Sequence, residues 1–146
     1  MRLTRAGESA IRCVLYLASD GTGNTVRRRQ IAAAMDIPSD FLTKIAQQLA
    51  RAGIIQISQG AKGGLKLITA PDELTLLDVI EAIIGEVYLN DCIQRPSSCR
   101  RSPICSVHQV WEKARNQLRS TLREATFDKL LEADGYIDPL HSGKGE

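Results

Sequence analysis

Cys92, Cys99, Cys105 and His108 fall in a C-x6-C-x5-C-x2-H pattern, and the stretch between them holds Pro96, Ser97, Ser98 and Pro103 rather than an apolar repeat. Structural free cysteines usually behave as small buried hydrophobes, so three of them in one polar loop point to chemistry. Thiolates are soft ligands suited to iron–sulfur clusters, copper(I) or zinc. Structural zinc sites favour tighter pairs such as C-x2-C, which ranks zinc second here. Arg95, Arg100 and Arg101 add positive charge beside the loop, a feature of an anionic site and equally of an ordinary solvated loop. Cys13 lies inside an apolar helical repeat and is expected in the core.

A chain of 146 residues with 43% hydrophobic content is large enough for one compact domain with a dimerisation arm. The basic start has no apolar run behind it of the kind a signal peptide needs, and no stretch approaches the ~18 apolar residues required to span a membrane. These features predict a cytoplasmic protein, where thiols stay reduced and metal or redox roles outrank disulfides.

Charge is divided along the chain. Residues 1–66 carry ten Lys/Arg against four Asp/Glu, whereas nine cations face thirteen anions in the remainder. A basic first half is the footprint of a phosphate-binding module, and an acidic second half is repelled by DNA.

The elements that must position these groups follow from periodicity. Thr4 to Ser19 reads as a first helix, ended by Gly21-Thr22-Gly23-Asn24. A second helical pattern starts near Val26 and runs through Ile31, Ala32 and Met35; Asp36 then allows a tight left-handed turn. A third helix follows with Ser39 as N-cap, an apolar face of Phe41, Leu42, Ile45 and Leu49, and a stop at Gly53. Ile54–Ser58 and Leu65–Ile68 flank a glycine-rich turn and predict a β-hairpin. Thr75 and Asp78 form a capping box for a helix through Leu76, Leu77, Ile80 and Ile83. Residues 90–106 read as the cysteine loop, Val107 to about Glu124 as a long helix, and Phe127 to Ala133 as a short one. The expected division is a winged helix-turn-helix at 1–84, a cluster-binding loop at 85–106, dimerisation helices at 107–134 and a flexible tail at 135–146.

Two short helices joined by a tight turn and followed at once by a hairpin give the order of a winged helix-turn-helix, a mostly α fold with a small β wing. The third helix is then the one for the major groove of double-stranded DNA. Its polar face offers Ser39, Asp40, Thr43, Lys44, Gln47, Gln48 and Arg51 to bases and phosphates. Arg27, Arg28 and Arg29 are placed to clamp phosphates, and the wing, with Gln59 and Lys62, is placed to reach the adjacent minor groove. In the long helix Val107, Trp111, Ala114, Leu118, Thr121 and Ala125, supported by Leu122, recur as a heptad-like seam. A two-fold homodimer built on it would read a palindromic operator with two recognition helices. An iron–sulfur enzyme or electron carrier is the less favoured alternative, since nothing resembles a substrate site: there is no Ser/His/Asp arrangement, no Walker motif and no dinucleotide fingerprint, and Gly60–Gly64 is better explained as a hairpin tip.

Met1-Arg2-Leu3-Thr4, the Gly60-Ala61-Lys62-Gly63-Gly64 tip and the three-cysteine loop together resemble the Rrf-two family of bacterial regulators, from Met1 to about Ala133. The resemblance implies a winged-helix homodimer with a long dimerisation helix and an iron–sulfur cluster whose state alters DNA affinity. His108 three residues beyond Cys105, with Trp111 following, is most similar to IscR-type members, in which such a histidine ligates a 2Fe-2S cluster. On that resemblance Cys92, Cys99, Cys105 and His108 are the ligands and 2Fe-2S is favoured over 4Fe-4S, with zinc the alternative. Glu8 stands where NsrR-like members supply an acidic ligand from the partner subunit, which makes it the alternative fourth ligand. The chain departs from the IscR-type pattern in a first cysteine spacing one residue longer and in Gln59, where an arginine is common.

Overall fold

The computed structural model describes residues 3–20 and 23–133. Met1, Arg2, the Gly21-Thr22 part of the first break, Asp134 and the tail at 135–146 lie outside the described residues. Helix α1 (Arg5–Ser19) begins where the Thr4 hydroxyl accepts the Gly7 amide at 3.1 Å, satisfying one of the amides a helix start leaves open. Ala10, Cys13, Val14 and Leu17 recur at three- and four-residue steps and are at most 1% exposed. That stripe seats α1 in the middle of the core.

Strand β1 (Thr25–Val26) precedes α2 (Arg28–Ala34) and α3 (Ser39–Arg51). Between the two helices Asp36 takes a left-handed φ of 53°, the expected turn. Leu42, Ile45 and Leu49 of α3 face inward beside Ile31 of α2. Two details correct the sequence reading. Val26 belongs to β1, paired with Leu65, and not to the second helix; a strand of two residues is too short to display a period-two signal. Ser39 is the first residue of α3 and not its N-cap: Pro38 holds the cap position and no side chain caps the end. The fixed φ of proline defines the entry there instead.

The hairpin forms as β2 (Ile55–Ser58) and β3 (Gly64–Leu67), and with β1 it makes an antiparallel sheet of order β1-β3-β2. Ile55 pairs with Leu67 and Ile57 with Leu65, so one face of the ladder meets the core. The tip glycines are required by close approach. A Cβ at Gly64 would lie 2.3 Å from the Val26 carbonyl oxygen, and one at Gly63 would lie 2.4 Å from that of Ser58. The wing is thereby closed tightly against β1.

Helix α4 (Leu76–Ile84) starts at the expected capping box, with Thr75 and Asp78 exchanging bonds of 3.1 and 3.0 Å. Residues 90–106 are more structured than a plain loop. They form α5 (Asp91–Gln94) and two 3-10 turns, Pro96–Ser98 and Ser102–Ile104. Each turn has proline in its opening positions, where the ring's φ suits a helical start; the turns are too short for periodicity to reveal. The long helix α6 (Ser106–Glu124) and the short α7 (Phe127–Ala133) follow. Phe127 is fully buried in the main core, while Leu118 and Leu122 pack on Leu77, Ile80 and Val87. The fold is a mostly helical winged helix extended by one long helix. No described helix is long and apolar enough to cross a membrane.

Candidate functional site

The short turns of 90–106 fold the cysteines back toward the start of α6. Cys105 is the N-cap of that helix, its sulfur accepting the His108 amide at 3.4 Å. The same histidine places ring Nδ1 3.3 Å from the Cys92 sulfur on α5. His108 thus sits between two of the three cysteines. Cys92 also lies 3.5 Å from the Asn90 side-chain oxygen. Cys99, exposed, lines a surface cleft of about 410 Å³ together with Ser102 and His108. All four cysteines are free thiols, and among the described residues no three His, Cys, Asp or Glu side chains converge as a closed metal site.

Ser102 is the exception in this exposed segment. It is 6% accessible, and its hydroxyl is buried with no hydrogen-bond partner among the described residues. Polar atoms buried in this way are uncommon and call for a partner. Sequence reasoning passed over Ser102, because no spacing rule marks a serine between two cysteines. Arg95, Arg100 and Arg101 are exposed, and none takes part in an ion pair among the described residues.

Glu8 is exposed on α1, in a different part of the chain's surface. It borders a cleft with Arg5, Arg12 and Asp36, and Arg12 donates to the Met35 carbonyl at 2.9 Å. Cys13, five residues on, is fully buried, and burial pushes its thiol up to about 12. Burial penalises the charged thiolate, which leaves Cys13 a core residue.

Within the basic module the predicted DNA-contacting groups lie on α2, α3 and the wing. Asp40, Lys44, Gln47 and Arg51 are exposed at helical spacing on α3, with Ser39 exposed and Thr43 and Gln48 half-buried beside them. Arg28 donates to the Thr43 hydroxyl at 3.3 Å and Arg27 to the Ala61 carbonyl at 2.9 Å. These bonds tie α2 to α3 and to the wing tip. Arg27, Arg28, Arg29 and Gln59 line a single polar cleft between helix and wing, and Lys62 is exposed at its tip. The arginine run and the wing, distant in sequence, are thus adjacent.

The arm that carries the cysteines is anchored to the basic module. Arg119 meets Glu81 of α4 at 2.7 Å, and Arg115 donates to the Val87 carbonyl at 2.9 Å and pairs with Glu86. Glu81 also accepts the Val87 amide at 2.8 Å. At the far end of α6 the Leu76 amide donates to Ala125 at 2.8 Å. The expected apolar seam divides accordingly: Leu118 and Leu122 face α4, while Val107 and Trp111 stay exposed along with Ile104 and Val110. No residue of α6 is buried, which is unusual for a helix bearing large apolar side chains.

Comparison with known proteins agrees with this architecture. The family described as Rrf2, iron-dependent transcriptional regulator, matches residues 3–133. The chain is 31% identical over 141 residues to the protein aau3 of Rhizobium meliloti, covering 96% of this chain and 91% of that one. It is 26% identical to the HTH-type transcriptional regulator NsrR of Halalkalibacterium halodurans, covering 96% and 97%. Among solved structures, CymR, the global cysteine regulator of B. subtilis, superposes with a TM-score of 0.75 at 19% identity, over 92% of this chain and 98% of that one. T. potens IscR superposes with a TM-score of 0.71 at 19% identity, over 94% and 96%. These two share the winged-helix fold.

Proposed function

Since the chain belongs to the Rrf2 family of transcriptional regulators, we propose that it is a homodimeric DNA-binding regulator whose promoter affinity is set by an iron–sulfur cluster. The cluster would be held by Cys92, Cys99, Cys105 and His108. The observation that carries this reading is His108 lying between Cys92 and Cys105, at 3.3 Å through its ring and 3.4 Å through its backbone. The residues fit such a group. Three sulfurs and one imidazole form a soft donor set, they are gathered from one short segment, and the unpartnered Ser102 hydroxyl beside them supplies a donor of the kind cluster sulfurs accept. The histidine favours 2Fe-2S over 4Fe-4S.

When bound, the cluster supplies a redox-active group that iron supply, oxidants or nitric oxide can alter. The remaining steps rest on this chain's own residues. Cys92 on α5 and Cys105 at the cap of α6 bring the two ends of the segment together, so ligation orders 85–106 as a unit between the winged helix at 1–84 and the dimerisation helices at 107–134. Arg119 and Glu81 then couple the setting of α6 to α4, and α4 packs on α1 and α3 inside the basic module. Ile104, Val107, Val110 and Trp111 offer the surface for a second copy, which would present two α3 helices to a palindromic operator. Arg27, Arg28 and Arg29 bind phosphate, and the exposed face of α3 reads base edges.

The test is anaerobic purification with visible absorption and iron, sulfide and zinc analysis, paired with promoter binding by the loaded protein, the cluster-free protein and Cys99→Ala. Brown protein with iron and sulfide, and a promoter affinity that differs among these forms, are expected. Colourless protein with stoichiometric zinc would reassign the site to zinc, and colourless metal-free protein would make it a thiol redox switch. Equal promoter affinity in all three forms would end the sensing claim.

A further inference from the structure

Ser102 is buried in the middle of the cysteine segment. It lies three residues after Cys99 and three before Cys105, and its amide donates to the Cys99 carbonyl at 3.2 Å. It opens the 3-10 turn Ser102–Ile104, and Pro103 restricts the backbone that follows. Although its neighbours Arg101 and Pro103 are exposed, Ser102 is 6% accessible and borders the same cleft as Cys99 and His108. Its hydroxyl has no partner among the described residues. A buried hydroxyl without a hydrogen bond is a cost to the fold unless something else accepts from it.

We propose that Ser102 is a positioning residue of the cluster site, its hydroxyl donating to an anionic sulfur, either the Cys99 sulfur or an inorganic sulfide, when the site is filled. This inference rests on the cluster reading above. The cleft confines the choice of acceptor, because the other side chains lining it are those of Pro96, Ser97, Arg100 and Pro103, beside the two ligands Cys99 and His108. Arginine and proline side chains carry no acceptor, and the Ser97 hydroxyl, which can accept, is exposed to solvent and makes no bond to Ser102. Hydrogen bonds to sulfur stabilise the more negative, reduced state and raise the reduction potential of an iron–sulfur centre. Ser102 therefore helps to set the potential at which the regulator responds, while contributing nothing favourable to the cluster-free fold.

The two halves of that statement give opposite signs in one variant. In Ser102→Ala, a spectroelectrochemical titration of the anaerobically loaded full chain should lower the midpoint potential. The expected shift is about tenfold in the oxidised-to-reduced ratio, about 59 mV for a one-electron couple. The cluster-free variant should melt at the same temperature as the cluster-free wild type or slightly above it, because an unsatisfied buried hydroxyl has been removed. Ser102→Thr, which keeps the hydroxyl, should retain the wild-type potential. An unchanged potential in Ser102→Ala that still carries iron and sulfide overturns the proposal and leaves the cluster reading intact. A lower melting temperature of the cluster-free variant also overturns it, since that is the mark of a purely structural serine. Wild-type protein devoid of iron and sulfide overturns both.

Discussion

The imidazole Nδ1 of His108 stands 3.3 Å from the sulfur of Cys92, across sixteen positions of sequence. The contact joins the first turn of α6 to the short helix α5, which lies against it outside the buried core. Since α5 has no buried residue, packing alone gives little reason for it to sit there. The proposed role of His108 as a ligand makes this contact testable. Replacing a group that holds or orients a metal ligand typically reduces binding by about ten- to a hundredfold. His108→Ala should therefore change the visible spectrum and lose its cluster at least tenfold faster under a chelator, whereas Glu8→Ala should match the wild type in both. A spectrum altered by Glu8→Ala and untouched by His108→Ala would move the fourth ligand to the carboxylate on α1.

The four thiols should divide three to one. Cys13 is fully buried and its thiol is pushed up to about 12, so a thiol reagent applied to cluster-free protein should count three groups at once and the fourth only after denaturation. The same burial has a linkage consequence. A group whose folded pKa lies above its unfolded value adds stability that is intact below the unfolded value and lost as pH rises toward the folded one. Urea midpoints should thus fall as pH climbs from about 9.0 toward 12, and Cys13→Ala should be less stable at neutral pH but lack this part of the alkaline loss. Four fast thiols in the folded protein would contradict the burial.

Much of the fold was legible because the signals were long or chemically marked. The helices α1, α3, α4 and α6 carry several turns of apolar repeat, Asp36 marked a left-handed turn, and Thr75 with Asp78 marked a cap. Strand β1 was not legible: its two residues, Thr25 and Val26, gain their conformation from pairing with β3, a long-range contact that local pattern does not encode. At the site, cysteine spacing picked out the segment, but not its helical turns or Ser102, whose burial depends on how Pro96–Ser98 and Ser102–Ile104 fold around it. The seam of α6 was read as one stripe. In the fold it splits between α4 and open surface, since Leu118 and Leu122 are taken by Leu77, Ile80 and Val87 and Val110, outside the heptad pattern, joins the exposed set.

In the proposed homodimer, that exposed set is the surface a second copy would cover. Val107, Val110 and Trp111 are 54%, 61% and 40% exposed on one end of α6, with Ile104 at 86% beside them. Burying a valine side chain is worth roughly 1.5–3 kcal/mol, and a carboxylate in its place adds a desolvation cost. Val110→Asp should weaken self-association by at least tenfold in sedimentation equilibrium, leaving the helical circular dichroism of the monomer intact. An unchanged dimer would place the two-fold interface elsewhere.

The DNA face should separate affinity from specificity. Arg28 is exposed, steadied by its 3.3 Å bond to Thr43, and lies beside Arg27 and Arg29 in the cleft between α2 and the wing. A phosphate contact carries no sequence information, so Arg28→Ala should weaken binding to operator and random duplex alike and reduce the salt slope by about 1. Gln47, exposed midway along α3 in line with Asp40 and Lys44, is placed for a base edge. Gln47→Ala should cost roughly 1–3 kcal/mol on the operator, relax preference at one base pair and leave the salt slope unchanged. Filter-binding or fluorescence titrations across a series of salt concentrations, on operator and scrambled DNA, measure both quantities together. If Arg28→Ala loses only operator binding, or Gln47→Ala weakens both duplexes equally, the assignment of α2 to phosphate and α3 to bases is reversed.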